Sequence, residues 1–89
     1  MAWRVEFTKN AARDLGKIDR QDRRRILGFL RDRVESSPDP RALGEALRGK
    51  DLGQFWKYRV GNFRIICDIQ DRLVLVVVVR VGNRREVYR

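Results

Sequence analysis

The stretch "QFWKYRVGNFRIICDIQDRLVLVVVVRV", residues 54–81, decides the fold. In its first run Trp56, Tyr58 and Val60 alternate with Phe55, Lys57 and Arg59, the period of two of a strand with one buried face. Gly61-Asn62 is a two-residue hairpin signal, and Asp71-Arg72 marks a second, polar turn. Three strands in an antiparallel meander follow. The last of them, "LVLVVVVRV", is apolar on both faces, so it belongs inside the sheet with a neighbour on each side.

Upstream of the meander, Trp3, Val5 and Phe7 alternate with Ala2, Arg4 and Glu6, which predicts one more half-buried strand. Thr8 stands where an N-cap belongs. Ala11, Ala12, Leu15 and Ile18 then recur at helical spacing, predicting a helix over 9–18. After a break near Asp19, Ile26, Leu27, Leu30 and Val34 form the apolar stripe of a second helix, which Pro38 and Pro40 end. Residues 41–53 read as a short helical turn and a glycine-containing loop. The order is β-α-α-β-β-β: an α+β fold, with a helical hairpin packed on a mainly antiparallel four-stranded sheet. Residues 1–89 form one domain, with no internal repeat or low-complexity segment.

Composition narrows the chemistry. The 89 residues carry 21 Lys and Arg against 12 Asp and Glu, a formal charge of +9 that attracts polyanions. There is no histidine and a single cysteine, Cys67, which excludes zinc chemistry, histidine-based catalysis and an internal disulfide. Cys67 sits in an apolar alternation and reads as a small buried hydrophobe. Trp3 and Phe29 read as core. "MAWRVEF" has no signal-peptide core and "LVLVVVV" is too short to span a bilayer, so a cytoplasmic protein with no membrane contact is expected.

The hairpin register points to a site. With Gly61-Asn62 as the whole loop, Val60 pairs with Phe63, Arg59 with Arg64, and Tyr58 with Ile65. Arg59 and Arg64 then face each other, with Lys57 two residues away on the same face. Like charges directly opposite destabilise a sheet, so the cluster calls for an anionic ligand or a charge partner from elsewhere. Lysine is the one member able to give up its proton and act as a general base, since arginine stays protonated. The final strand ends near the start of the strand bearing Arg64, so "GNRREVYR", residues 82–89, can bring Arg84 and Tyr88 to the same patch. Such a patch suits phosphodiester chemistry without a metal or other cofactor, its cations stabilising charge on phosphate oxygens.

"WKYR" at 56–59, "YRVGNFRI" at 58–65, "LRG" at 47–49 and "VGNRREVY" at 81–88 together resemble the RelE family of the RelE/ParE toxin superfamily, over essentially the whole chain. The resemblance implies a type II toxin that enters the ribosomal A site and cuts the mRNA there. Its reaction is metal-independent: a ribose 2′-OH attacks the adjacent phosphodiester and leaves a 2′,3′-cyclic phosphate and a 5′-OH. Lys57 and Arg59 match the two basic positions for proton abstraction and phosphate neutralisation, and Arg64 the arginine that stabilises charge on the phosphate. Arg84 matches the arginine that protonates the leaving oxygen, and Tyr88 the tyrosine that orients or stacks the substrate. Arg59 replaces a family lysine, which leaves proton abstraction to Lys57.

The resemblance also implies partners: a cognate RelB-like antitoxin, the ribosome with its mRNA and rRNA, and operator DNA only indirectly, through the antitoxin. Arg23, Arg24, Arg48, Lys50, Arg85 and Arg89 are the candidate RNA and ribosome contacts. The helical hairpin, residues 9–35, has nine Lys and Arg against five Asp and Glu. That surplus fits phosphate contact as well as a solvated helix face. Some relatives continue beyond the position of Tyr88 into a short terminal helix, whereas only Arg89 follows it here. Two other functions stay open: a ParE-like toxin that inhibits DNA gyrase by protein binding, and an RNA-binding module that cuts nothing.

Overall fold

A computed structural model of the chain describes residues 3–47 and 55–83. Seven elements build it: β1 (Arg4–Phe7), α1 (Lys9–Gly16), α2 (Arg20–Phe29), β2 (Glu45–Ala46), β3 (Phe55–Val60), β4 (Phe63–Gln70) and β5 (Leu75–Asn83). The strands form one sheet in the order β1-β5-β4-β3-β2. β1 runs parallel to β5, and every other pairing is antiparallel. β5 lies inside, as its two apolar faces require. The α+β expectation holds, with one addition. The sheet has five strands rather than four, because part of the 41–53 stretch pairs with β3 as β2.

The hairpin has the expected register, Val60 with Phe63, Arg59 with Arg64 and Tyr58 with Ile65. Gly61 takes a φ of 58°, which a two-residue hairpin loop needs at its first central position. Farther along, the β4–β5 ladder slips by one residue: Ile66 pairs with Arg80 and Cys67 with Val78, leaving Val79 as a bulge. α1 is fastened there. The Thr8 hydroxyl donates to the Val79 carbonyl at 3.0 Å while accepting from the Ala11 amide at 3.1 Å, the N-cap role expected of it. The Asp14 carboxylate accepts from the Val81 amide and from Arg80 Nε, both at 2.9 Å. Burial works to raise the Asp14 carboxyl, but those hydrogen bonds outweigh it and hold the group below the usual carboxylate range.

The helices cover one face of the sheet. Ala11, Leu15, Ile26, Leu30 and Val34 pack on Tyr58, Ile65, Cys67, Val76, Val78 and Val81, with Trp3 and Phe29 at the margin. The Phe29 and Tyr58 rings meet at a centroid distance of 5.6 Å. Cys67 is fully buried, and burial pushes its thiol up, away from reactivity. Three expected core positions differ. Phe7 lies at the end of the edge strand and Leu27 at the margin of its stripe, 38% and 37% exposed, and Ala12 faces solvent. α1 is also shorter than expected, ending at Gly16, and α2 gives way to a π-helical turn, Leu30–Val34, closed by the Glu35 amide on the Leu30 carbonyl. Among the described residues no helix is long and apolar enough to cross a membrane.

Candidate functional site

Neighbours along a strand face opposite ways, so burying Tyr58 and Ile65 under the helices sends Lys57, Arg59 and Arg64 to the other face. There they line one cavity of about 340 Å³, together with Glu45, Tyr58 and the Ala42–Gly44 backbone segment. Two cross-strand rows organise it. Arg59 pairs with Arg64 and Arg64 with Gly82; one step away Glu45 pairs with Lys57 and Lys57 with Ile66. Gly82 has no side chain to crowd Arg64. The last described residues of β5, still in the ladder with Asn83 paired to Phe63, therefore lie beside Arg64, although the chain does not leave the sheet at Gly82.

The charge partner that the sequence left open is Glu45, whose Oε1 lies 3.5 Å from Lys57 Nζ. The wall carrying it is fixed from the core side of β3. Tyr58 donates its hydroxyl to the Pro40 carbonyl at 2.9 Å, and Trp56 Nε1 donates to the Arg41 carbonyl at 3.0 Å. Burial pushes the Tyr58 phenol up and keeps it protonated, as its donation to Pro40 requires. Arg41 grips Asp71 through two hydrogen bonds of 2.8 and 2.9 Å, and its guanidinium lies 5.9 Å from the Trp56 ring centroid. Past this clamp Gly44 lets β2 close on β3. A Cβ at Gly44 would collide with the Lys57 carbonyl oxygen and come within 2.8 Å of Tyr58 Cδ1.

The helix cations divide. Arg23 does not join the cavity; it is half-buried, and its Nη1 donates to the Leu15 carbonyl at 3.4 Å, tying α2 to the end of α1. Arg24 is exposed, in an open depression shared with Asp19, Arg20, Gln21 and Arg25. Arg25 packs its guanidinium beside the hairpin turn, 3.4 Å from where a Cβ at Gly61 would stand. Of the other candidates, Arg48, Lys50, Arg84, Arg85, Tyr88 and Arg89 lie outside the described residues.

Sequence reasoning missed Glu45 and Arg25. Glu45 belongs to a two-residue strand with no period of its own, and its one signal is the glycine before it. Arg25 was within reach as part of the run Arg23-Arg24-Arg25 on a helix that packs over the hairpin.

Comparison with known proteins gives a consistent result. The model of the ParE toxin of the type II toxin–antitoxin system parDE matches residues 5–88. Toxin RelG of Mycobacterium tuberculosis is 33% identical over 89 residues, covering 100% of this chain and 99% of its own length. Among solved structures, the toxin–antitoxin complex RelBE2 of M. tuberculosis superimposes with a TM-score of 0.85 at 28% identity, covering 94% of this chain and 100% of the matched one. The isolated Escherichia coli RelE toxin gives 0.71 at 27% identity, over 98% of this chain and 92% of its own.

Proposed function

The chain belongs to the RelE/ParE superfamily of type II toxin–antitoxin toxins, and we propose that it is a ribosome-dependent endoribonuclease that cuts mRNA in the ribosomal A site. The observation that carries this reading is the row Arg59–Arg64 with Lys57 beside it in one cavity. A scissile phosphate gains negative charge in its equatorial oxygens as a ribose 2′-OH attacks, and preorganised cations stabilise that charge without having to move. Lys57, Arg59 and Arg64 hold the phosphate. Arg84 and Tyr88 act at the leaving oxygen and on the substrate base, roles they take from the resemblance alone. Arg24 and Arg25 extend the contact along the nucleic-acid backbone. The toxin works in the cytoplasm and is held inactive by a cognate RelB-like antitoxin, a partner supported by likeness to the toxin in the M. tuberculosis complex.

Primer extension on a translated message tests the reading. Cleavage within codons that requires ribosomes and survives EDTA is the expected result; an intact message would overturn it. A second reading, inhibition of DNA gyrase, is favoured by the ParE toxin model that matches residues 5–88. It predicts intact message and blocked supercoiling in the same preparations. Ribosome binding with neither effect would leave an RNA-binding module.

A further inference from the structure

We propose that Arg41 and Asp71 are positioning residues for the cavity: their ion pair sets how closely the wall of residues 42–45 stands against Lys57. The inference rests on the ribonuclease reading and deepens it. Neither residue lines the cavity, and both act through the segment that Arg41 belongs to.

Three observations carry it. The first is that the wall cannot hold itself. It is built from a four-residue 3₁₀ turn, Pro40–Leu43, one glycine and the two-residue strand β2. Such short pieces have too few hydrogen bonds of their own to keep a fixed place, so distant contacts must supply it.

The second is where those contacts lie. From the helix side of β3, Tyr58 bonds the Pro40 carbonyl at 2.9 Å and Trp56 the Arg41 carbonyl at 3.0 Å. Bonds to two neighbouring carbonyls make a pivot, and Arg41 supplies the third point. Its guanidinium lies over the Trp56 ring and grips both oxygens of Asp71, 30 residues along the chain, at 2.8 and 2.9 Å. A planar fork on a carboxylate fixes direction as well as distance. Asp71 is itself held, because its carbonyl accepts from the Val74 amide at 3.1 Å across the tight β4–β5 turn. Val74 takes a φ of 51° there, which a β-branched residue adopts only where its surroundings impose it.

The third is what the pair does not do. The Arg41 and Asp71 side chains are 39% and 64% exposed, and ion pairs so open to water add little to stability. Their effect is on direction. A Cβ at Gly44 would collide with the Lys57 carbonyl, so the wall already stands at closest approach and can move only outward. Outward movement parts Glu45 from Lys57, now 3.5 Å apart, and widens the cavity that gathers Lys57, Arg59 and Arg64. A displacement of about 1 Å at reacting groups costs on the order of 10²-fold in rate.

The test uses the full chain with Arg41→Met, Asp71→Asn and the two together. Methionine keeps an unbranched stem over Trp56 and asparagine keeps the size of the aspartate, so each change removes the pair and little else. Single-turnover cleavage of a message on stalled ribosomes should slow by about 10–10²-fold in each single variant. The double variant should be no slower than either, since the two residues act as a unit. Ribosome affinity should stay within about threefold, because phosphate contacts dominate binding. The urea midpoint should barely move.

A second readout needs no activity. The Leu47 amide, which donates to the Phe55 carbonyl at 3.0 Å where β2 meets β3, should exchange about tenfold faster in the variants, while the Ile65 amide keeps its protection. Wild-type rates in the single variants, a double variant slowed by the product of the two, or unchanged exchange at Leu47 would overturn the positioning role. Equal loss of protection at Ile65 would do so too, by making the pair a general structural contact. No cleavage by the wild-type chain would overturn the ribonuclease reading and this inference with it, a result distinct from variants that cut as fast as wild type.

Discussion

Arg59 and Arg64 stand directly opposite each other in the β3–β4 ladder, one pair in from the turn. Their juxtaposition follows from the two-residue loop: Gly61-Asn62 sets the register, and burial of Tyr58 and Ile65 under the helices turns both arginines to the other face. Any sequence that keeps this hairpin and this core keeps the two side chains together. The fold therefore holds a cationic pair in place before a substrate arrives, which is what electrostatic preorganisation demands.

That arrangement predicts opposite effects on stability and activity. Replacing Arg59 by Ala should leave stability unchanged or raise it by about 0.2–1 kcal/mol, because an unfavourable cross-strand pair is removed. The same change should slow single-turnover cleavage about 10²–10³-fold. Urea unfolding and a cleavage time course read the two effects. A destabilised Arg59→Ala would mean that the pair is a structural contact.

Gly44 and Gly28 should respond oppositely to alanine. At Gly44 the added methyl meets the Lys57 carbonyl, so β2 must shift; the expected cost is about 1–3 kcal/mol, with loss of the Glu45–Lys57 contact. At Gly28, inside α2, nothing lies within 4 Å of the new atom. Alanine there should stabilise by about 0.5–1 kcal/mol through helix propensity. Urea midpoints of the two variants against wild type decide it.

The contrast between these glycines also shows what the sequence could and could not reveal. The hairpin register, the interior place of β5, the Thr8 cap and the buried Cys67 all follow from local signals: period, turn dipeptide and capping residue. β2 does not. Two residues show no period, and they pair with β3 only because Tyr58 and Trp56, more than a dozen residues downstream, hold Pro40 and Arg41. The Val79 bulge is equally silent in "LVLVVVV", since every residue there suits a strand and the extra one is fixed by Thr8 and Asp14 from α1. Charge runs show sign and not direction, so the sequence does not reveal which way Arg23 turns. Its Nη1 is bonded to the Leu15 carbonyl at the end of α1.

Asp14 gives a pH dependence with a definite sign. Its carboxyl titrates below the ordinary value of 3.8 in the folded protein, so the native state binds fewer protons there than the unfolded chain. Its contribution is complete above 3.8 and is lost as pH falls through the lowered value. Asp14→Asn should cost about 1–3 kcal/mol near neutrality, where the charge-assisted bond to Arg80 is gone. The gap between variant and wild type should close as pH falls from 3.8 through the lowered value. Urea unfolding across that range measures it, and a constant gap would show that the carboxylate's charge is not what stabilises.

Lys57 separates binding from chemistry. One cation among many contributes little to ribosome affinity, and its loss should lower the salt slope of binding by about one unit, with a modest change in affinity at fixed salt. At the phosphate it meets charge that grows in the transition state, so Lys57→Ala should slow single-turnover cleavage by about 10²-fold or more. Lys57→Arg keeps the charge but exchanges a compact ammonium for a planar fork, and should recover part of the rate. If proton removal by the amine itself were essential, Lys57→Arg would be as slow as Lys57→Ala. Comparing the two variants in one cleavage assay, with affinities measured alongside, therefore tells a phosphate-binding ammonium from a general base.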